Sequence, residues 1–543
     1  MTYPTPPLPP SLWPPQQRAT CLLDAGTATH WPQQPQKTGC PQEAPWLAAQ
    51  ALHSPPGDGL TLVRGFRGTK PTLVIATHPE ALAGTLGDVG GTRAAAAIER
   101  LRREQAALPA GQSCQILLWL DGGGVRLQEG NAALLAAHTL LTALARAQEQ
   151  MPVLAIITGR RGCYGAWALA AGLCHHRIMV APSRLGLNGP KVMERMLPPG
   201  ALDSHDSARV DAMHGASARL RADLVQQVVA DEAVALKQAI DAGLQALHTR
   251  PPWARPPAPP GLCDPSLWEA PASLAGNRGM RWLEALAAPQ SLRLGAEGSV
   301  GVGICSLGDE RALLLATGPS PQNPTGALGG AQARALMACL RAQRLQQGTQ
   351  ATAVVLLVDH PGQAMSETEE AAGLHQLLAQ LRAEGERVVL AGWPVVGLIV
   401  GAAVSGGFLC HGLGAQRLLA LDHPAVDIRP MAQQGMQRLL ERSMARADPA
   451  MTQQDALKTD AQAFFRLGGV QALVPVAPQD LLQPADVDRV RAALTTQLQL
   501  ARRQHRQDPG CFRPASFGLR VWAKEVWEAI AEPGGDSAYT LLT

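Results

Sequence analysis

Short apolar runs that end in glycine alternate with longer stretches of helical period along this chain of 543 residues. Residues 60–65 and 71–77 run apolar or alternate, which predicts two strands joined at Arg67-Gly68-Thr69. AGTLGDVGGTR (83–93) predicts a glycine-rich bend that opens a helix over 94–105. CQILLWL (114–120) predicts a buried strand. It ends in Asp121-Gly122-Gly123-Gly124, where bare backbone can approach a ligand. A helix over 127–148 follows, then the apolar stretch 152–182, PVLAIITGRRGCYGAWALAAGLCHHRIMVAP. RLGLNGPKVME (184–194) predicts a loop entering a helix at Pro190, and 207–246 has helical period.

The pattern then repeats. A helix over 279–288 and weak strands near 299–306 and 312–317 lead to a loop at 319–330 and a helix over 331–344. AVVLLV (353–358) is a buried strand ending in Asp359-His360-Pro361-Gly362, followed by a helix over 367–384. Residues 394–424, PVVGLIVGAAVSGGFLCHGLGAQRLLALDHP, echo 152–182. At one offset Cys163 falls on Ser405 and Gly165 on Gly407. Self-similarity at this distance predicts one α/β unit built twice. Residues 1–17 are expected to be a disordered Pro-rich tail, 18–249 the first domain, 250–272 a Pro-rich linker and 273–543 the second domain. Within these, 18–27 predicts a short helix, 28–58 is irregular, and the polar stretch beyond 501 gives no reading.

Composition narrows the class. Aromatics are 4% of residues while Gly (54) and Pro (44) abound, so helices and strands must pack through small side chains. A net charge of +3 without basic runs argues against nucleic acid as a partner. The ten cysteines form no C-x-x-C pair and suit a reducing, cytoplasmic setting. No basic-then-apolar segment opens the chain, so no secretory signal is expected. The uncharged stretch 388–416 is long enough to span a bilayer, but Trp393-Pro394, its glycines and His411 make it a buried strand, turn and helix.

The repeated turn offers chemistry. The first N–H groups of a helix lack intrahelical partners, and two such amides aimed at one point hold an anion. The candidates are Gly162, Cys163, Tyr164, Gly165 and Ala166 in the first half, and Val404, Ser405, Gly406, Gly407 and Phe408 in the second. Small residues could equally serve only to let a helix approach a sheet, but two matched turns favour the chemical reading.

Three runs in the first half, GGVRLQE (123–129), GCYG (162–165) and RLGLNGP (184–190), resemble the β subunit of biotin-independent malonate decarboxylase. PGQAMSETEEAAGLH (361–375), IVGAAVSGGFLCHG (399–412) and RLLALD (417–422) resemble its γ subunit. The chain thus resembles a β–γ fusion, which implies two crotonase-like (ββα superhelix) α/β domains in tandem. The implied reaction is loss of CO2 from a malonyl thioester through an enolate held in an oxyanion hole. The substrate would ride on the phosphopantetheine-type (dephospho-CoA-derived) arm of an acyl carrier protein. No metal or tightly bound cofactor is implied. The partners would be the acyl carrier protein and acyl-carrier transferase subunits, with a homodimer open.

The same resemblance implies substrate-binding roles for Gly123, Gly124, Arg126, Asn188, Gly189, Pro190 and Gln363. Arg93, Arg126 and Arg184 could meet the arm's phosphates or the carrier's acidic face. His411 or Ser405 could donate the proton, although a histidine on an apolar helix also reads as core. Cys163 reads as a donor of its amide, since no base partners its thiol. The chain departs from the family at Met365-Ser366-Glu367, Arg429, Gln433, Lys191 and Arg93. Two other readings stay open: a biotin-dependent acyl-CoA carboxyltransferase, and a weakly active scaffold that binds a carrier protein.

Overall fold

The structure is a computed structural model that describes residues 9–30, 58–109, 111–159, 161–251, 268–271, 276–346, 351–433, 455–479, 482–507 and 517–531. Two sheets of the same plan carry the fold. In the first, β1 (Thr29–His30), β2 (Leu60–Arg67), β3 (Lys70–Thr77), β4 (Gln115–Leu120), β5 (Val153–Ile157), β6 (His176–Val180) and β7 (Gln227–Val229) lie in sequence order. The second runs β15 (Ala472–Pro475), β13 (Arg417–Asp422), β12 (Val395–Val404), β11 (Ala353–His360), β10 (Glu310–Thr317), β9 (Val300–Leu307) and β8 (Arg293–Gly295), with β14 (Asp427–Arg429) beside β12. Each sheet opens with an antiparallel hairpin, β2–β3 or β9–β10, and continues as parallel strands. The parallel strands are buried on both faces, hence their unbroken Val, Ile and Leu.

The helices that matter here are α1 (Pro15–Thr20), α2 (Asp88–Ala107), α3 (Gly130–Ala147), α4 (Ala166–Gly172), α5 (Pro190–Met196), α6 (Ser207–His214), α7 (Ala233–Thr249), α8 (Gly330–Arg344), α9 (Glu367–Ala371), α10 (Leu374–Leu390), α11 (Ser405–Cys410), α12 (Pro484–Gln507) and α13 (Val521–Ala531). Several expectations shift. Gly90 and Gly91 lie inside α2, not in a bend before it. A Cβ on Gly91 would stand 2.9 Å from the Ala136 Cβ, so glycine lets α2 close onto α3. The helix expected over 367–384 breaks at Gly373 (φ +81°), where any side chain would strike Leu224 of the first half. The helical span 207–246 contains the short strand β7. Of the tail expected to be disordered over 1–17, residues 9–17 are among the described residues and are packed in place. Ser11 is buried and bonded to Asp231, and α1 begins at Pro15. The linker expected over 250–272 lies mostly outside the described residues.

The two halves pack into one body through helices. A Cβ on Gly172 of α4 would stand 2.6 Å from the Ala379 Cβ of α10. Buried polar bonds cross the seam from Arg146 to Glu386 (2.5 Å) and from Arg382 to Thr142 (2.6 Å). Asn131 Nδ2 donates to the carbonyls of Ile428 and Lys458. The end of the chain returns to its start. α13 packs on α2, and Arg520 donates to Asp88 at 2.9 Å, both side chains buried. Among the described residues no helix is long and apolar enough to cross a membrane.

Candidate active site

The first turn forms where β4 and β5 end side by side. Gly122 N–H donates to the Gly162 carbonyl (3.0 Å) and Tyr164 N–H to the Gly122 carbonyl (3.1 Å). Cys163 N–H donates to Arg184 O (2.8 Å) and Gly165 N–H to Leu187 O (2.9 Å). Four of the five amides expected to face a ligand therefore already bond backbone, since Gly162 N–H meets Gly159 O at 3.2 Å. Ala166 remains, and with it Gly124. Neither amide meets an acceptor among the described residues, and the Ala166 nitrogen is 3.8 Å from where a Gly124 Cβ would stand. Gly165 is the pivot. It sits at φ +57°, and a Cβ there would stand 2.6 Å from the Gly124 Cα. Cys163 is fully buried, and burial pushes its thiol well up, so it stays protonated. Tyr164 lies over Gly162 and edge-on to His214 at 5.5 Å; burial pushes its phenol up as well.

In the second turn β12 runs straight into α11. Here the positive φ falls on Ser405 (+56°), two positions before the glycine that sequence matching aligned with Gly165. A Cβ on Gly407 would stand 2.8 Å from the Gly362 carbonyl carbon, so the turn closes on Gly362–Gln363 as the first closes on Gly124. The Gly407 amide donates to Gln363 Oε1 at 3.3 Å. Gly406, Val404 and Phe408 are buried, the last against Phe464 at 6.1 Å. His411 is buried, its ring nitrogens meet no partner among the described residues, and the His360 ring is 5.7 Å away. Burial lowers its pKa to about 4, so it is neutral at pH 7.

One loop joins the two turns. Leu187, whose carbonyl takes the Gly165 amide, donates its own amide to Glu370 Oε2 at 3.0 Å. Asn188 donates to Glu370 Oε1 through its amide (2.7 Å) and Nδ2 (2.8 Å). Gln363 Nε2 donates to Asn188 Oδ1 at 2.8 Å while its Oε1 holds the Gly407 amide. The path Gly165–Leu187–Glu370–Asn188–Gln363–Gly407 therefore crosses from one half to the other within a single chain. Burial pushes the Glu370 carboxyl up, against the pull of Arg219 3.8 Å away and of the Leu187 and Asn188 donors. Gly189 and Pro190 sit half-buried at the mouth of the same loop, Gly189 against the Tyr164 ring. Sequence reasoning missed Glu370 and Arg219, because S-E-T-E-E-A reads as a solvated acidic face.

Other candidates are placed elsewhere. Arg126 is buried and bonded to Glu129 Oε1 and to the carbonyls of Asp58 and Thr85, each at 3.0 Å. It braces the loop before α2 and has no free face for a phosphate. Arg93 is buried in an ion pair with Asp58, and Arg184 holds Asp211 at 2.7 Å on the surface. Gly123 and Gly124 stay half-buried beside the first turn. The departures find partners. Glu367 pairs with Arg209 of the first half (3.0 Å), Met365 packs on Met193, Leu202 and Met213, and Ser366 caps α9. Arg429 pairs with Asp427, whereas Lys191 and Gln433 are exposed. Among the described residues no three His, Cys, Asp or Glu side chains are placed to hold a metal ion.

The family described as Malonate decarboxylase gamma subunit matches residues 323–533, and the family described as Carboxyl transferase domain matches 44–219. A relative from Malonomonas rubra, malonyl-S-ACP:biotin-protein carboxyltransferase MADC, is 30% identical over 36% of this chain; the chain spans 62% of that relative's length. The probable biotin-dependent acyl-coenzyme A carboxylase beta3 subunit of Mycobacterium tuberculosis is 27% identical over 86% of this chain and 90% of its own. A solved Pseudomonas malonate decarboxylase hetero-tetramer in complex with malonate is 30% identical to 44% of this chain, covers 84% of its own, and has a TM-score of 0.40.

Proposed function

From the premise that this chain belongs to the family of malonate decarboxylase and carboxyl transferase domains, with two crotonase-like α/β halves, we propose that it removes CO2 from a malonyl thioester. The thioester would be carried on the phosphopantetheine-type arm of an acyl carrier protein. The C–C bond to the carboxylate breaks and its electron pair passes into the thioester carbonyl. CO2 leaves, and a proton then adds to carbon to give the acetyl thioester. Charge grows on the thioester oxygen as the bond breaks. Amides already fixed in place meet it without reorganising, and one such donor is worth ~3–4 kcal/mol.

The observation that supports this reading is the pair of small-residue turns tied through one loop, with the Ala166 and Gly124 amides at the first meeting no acceptor among the described residues. In this reading those amides hold the thioester oxygen, and Leu187, packed near Gly406, helps keep water from the carboxylate. The carrier protein and its acyl-transferase would be the partners in the assembly. A second reading follows from the Malonomonas relative, whose name makes biotin-protein the carboxyl acceptor. The two differ in where the carboxyl group goes.

The test is to incubate the purified chain with malonyl-carrier protein and follow CO2 and acetyl-carrier. Release without added biotin-protein supports decarboxylation. Release that appears only with a biotinylated acceptor, and that avidin abolishes, replaces it by carboxyl transfer. No turnover under either condition overturns both.

A further inference from the structure

The two halves place a carboxylate at the same point. Asp121 follows β4 and Asp359 lies near the end of β11, and each leans on a facing glycine. A Cβ on Gly159 would strike Asp121 Oδ1, as one on Gly401 would strike Asp359 Oδ1. In the second half backbone satisfies the carboxylate. Ala402 N–H donates to Asp359 Oδ1 at 2.9 Å and Gly279 N–H to Oδ2 at 3.1 Å. In the first half Asp121 Oδ1 has no hydrogen-bond partner among the described residues. Its Oδ2 faces Arg18 Nη2 at 3.8 Å, too far for a hydrogen bond, and Arg18 Nη1 is likewise without a partner there. Asp121 is 3% exposed and Arg18 2%.

Arg18 is fixed from the other side. Its Nε donates to Trp13 O (2.8 Å) and its Nη2 to Ser11 O (2.9 Å), and Ser11 is tied to Asp231. Its guanidinium lies 6.0 Å from the Trp119 ring centroid on β4. Asp121 stands where the first turn begins. Thr77 Oγ1 accepts its amide at 2.8 Å, and the next residue, Gly122, bonds Gly162 and Tyr164. Gly124 follows two residues later. The Asp121 side chain thus bridges the ends of β4 and β5, which carry the two halves of that turn. A buried carboxyl without donors costs stability that Asp359 escapes, and such costs gather at functional sites.

We propose that Arg18 and Asp121 are positioning residues of the first turn: their charge pair holds the end of β4 against the end of β5 and so sets where the Gly124 amide stands. The inference rests on the proposed decarboxylation, which it deepens. Other groups bear on the pair. Arg161 and Glu80, joined to each other at 3.1 Å on the surface, and the buried Cys163 thiol face Asp121, while Asp231 and His78 face Arg18. Burial outweighs the pull of Arg18 and Arg161 and lifts the Asp121 carboxyl to about 6. The pair is therefore charged above that pH and lapses below it.

The experiment is a pH profile of CO2 release from malonyl-carrier protein, with circular dichroism to confirm folding. Wild-type kcat should rise roughly fivefold from pH 5 to pH 7, with its midpoint near 6 and KM little changed. Asp121→Asn keeps the shape and removes the charge. Its profile should be flat, at about a tenth of the wild-type kcat at pH 7. Arg18→Met should move the midpoint up, because the pull on Asp121 is gone, and Arg18→Lys should restore it. A level wild-type profile, full kcat in Asp121→Asn at pH 7, or an unmoved midpoint in Arg18→Met overturns the inference. A wild type without turnover at any pH sinks the decarboxylase reading instead. The pair is then judged by hydrogen exchange of the peptide covering 121–126, corrected for the intrinsic rate. Protection that rises at least threefold from pH 5 to pH 7 in wild type and stays level in Asp121→Asn supports the pair. Protection that is level in wild type, or that rises equally in both, overturns it.

Discussion

Replacing Glu370 tests the link between the halves. Its carboxylate accepts from Leu187 N, Asn188 N and Asn188 Nδ2, with the buried Arg219 guanidinium 3.8 Å away. Glu370→Ala leaves the Leu187 and Asn188 amides without acceptors and Arg219 without its counter-charge, while Asn188 Nδ2 keeps only the Ala364 carbonyl at 3.1 Å. Arg219 keeps its bonds to the carbonyls of Leu185 (2.7 Å) and Glu370 (2.6 Å), so its charge stays buried. Removing one partner of a buried pair costs about 3–5 kcal/mol, because the other charge is left uncompensated. Glu370→Gln turns one acceptor into a donor facing a backbone N–H and should cost about 1–3 kcal/mol. Urea unfolding followed by tryptophan fluorescence measures both. The pair term is isolated by Arg219→Met: the double variant should be less destabilised than the two single losses predict. A Glu370→Ala loss below about 1 kcal/mol, or strict additivity with Arg219→Met, refutes the argument.

Gly165→Ala should keep the fold but lose at least ~100-fold in turnover, since the methyl stands 2.6 Å from the Gly124 Cα and moves a proposed oxygen-holding amide; steady-state assays with circular dichroism of the folded variant decide it. Burial lifts the Asp121 carboxyl to about 6, against the pull of Arg18. The folded chain keeps a proton that the unfolded chain has released, so stability falls as pH rises from about 4 to about 6 and is level above. Asp121→Asn should remove that slope of about 3 kcal/mol, and a difference from wild type that stays constant over pH 4–7 contradicts it. His411, lowered to about 4 by burial, acts in the opposite sense: its stabilising contribution is lost as pH falls from about 6.5 toward 4. His411→Leu should resist acid better by about 3 kcal/mol and still release CO2, whereas abolished turnover in a folded His411→Leu would restore it as proton donor.

What was legible in the sequence was what local composition dictates. The twin turns show as small residues after β-branched runs, and the strands β4 and β11 as uninterrupted apolar stretches. Short strands were lost: Gln227–Val229 is too brief to outweigh the helical period over 207–246, and Ala472–Pro475 is too brief to show as a run of its own. Gly90 and Gly91 read as a bend because glycine is a poor helix former. Only the neighbouring helix, brought against Gly91 by tertiary packing, explains them inside α2. At the site the limit was distance along the chain. Arg126 resembled a phosphate ligand until Asp58 and Thr85 closed around it. Glu370 resembled solvent-facing acid until the loop at Leu187–Asn188 met it from the other half. The free amides at Gly124 and Ala166 depend on which neighbours are engaged, and no spacing of letters encodes that.

The clasp between Arg520 and Asp88 sets an order for biosynthesis. The two residues are 432 positions apart. At ordinary translation rates roughly 20–90 s separate their emergence from the ribosome. Through that interval α2 presents a carboxylate and a helix face whose covering helix, α13, has not yet been made. The first half therefore matures last as well as first. It can fold its sheet early, but its closure waits on nearly the whole message, and a chain that stops short of residue 520 leaves that face open to chaperones and proteases.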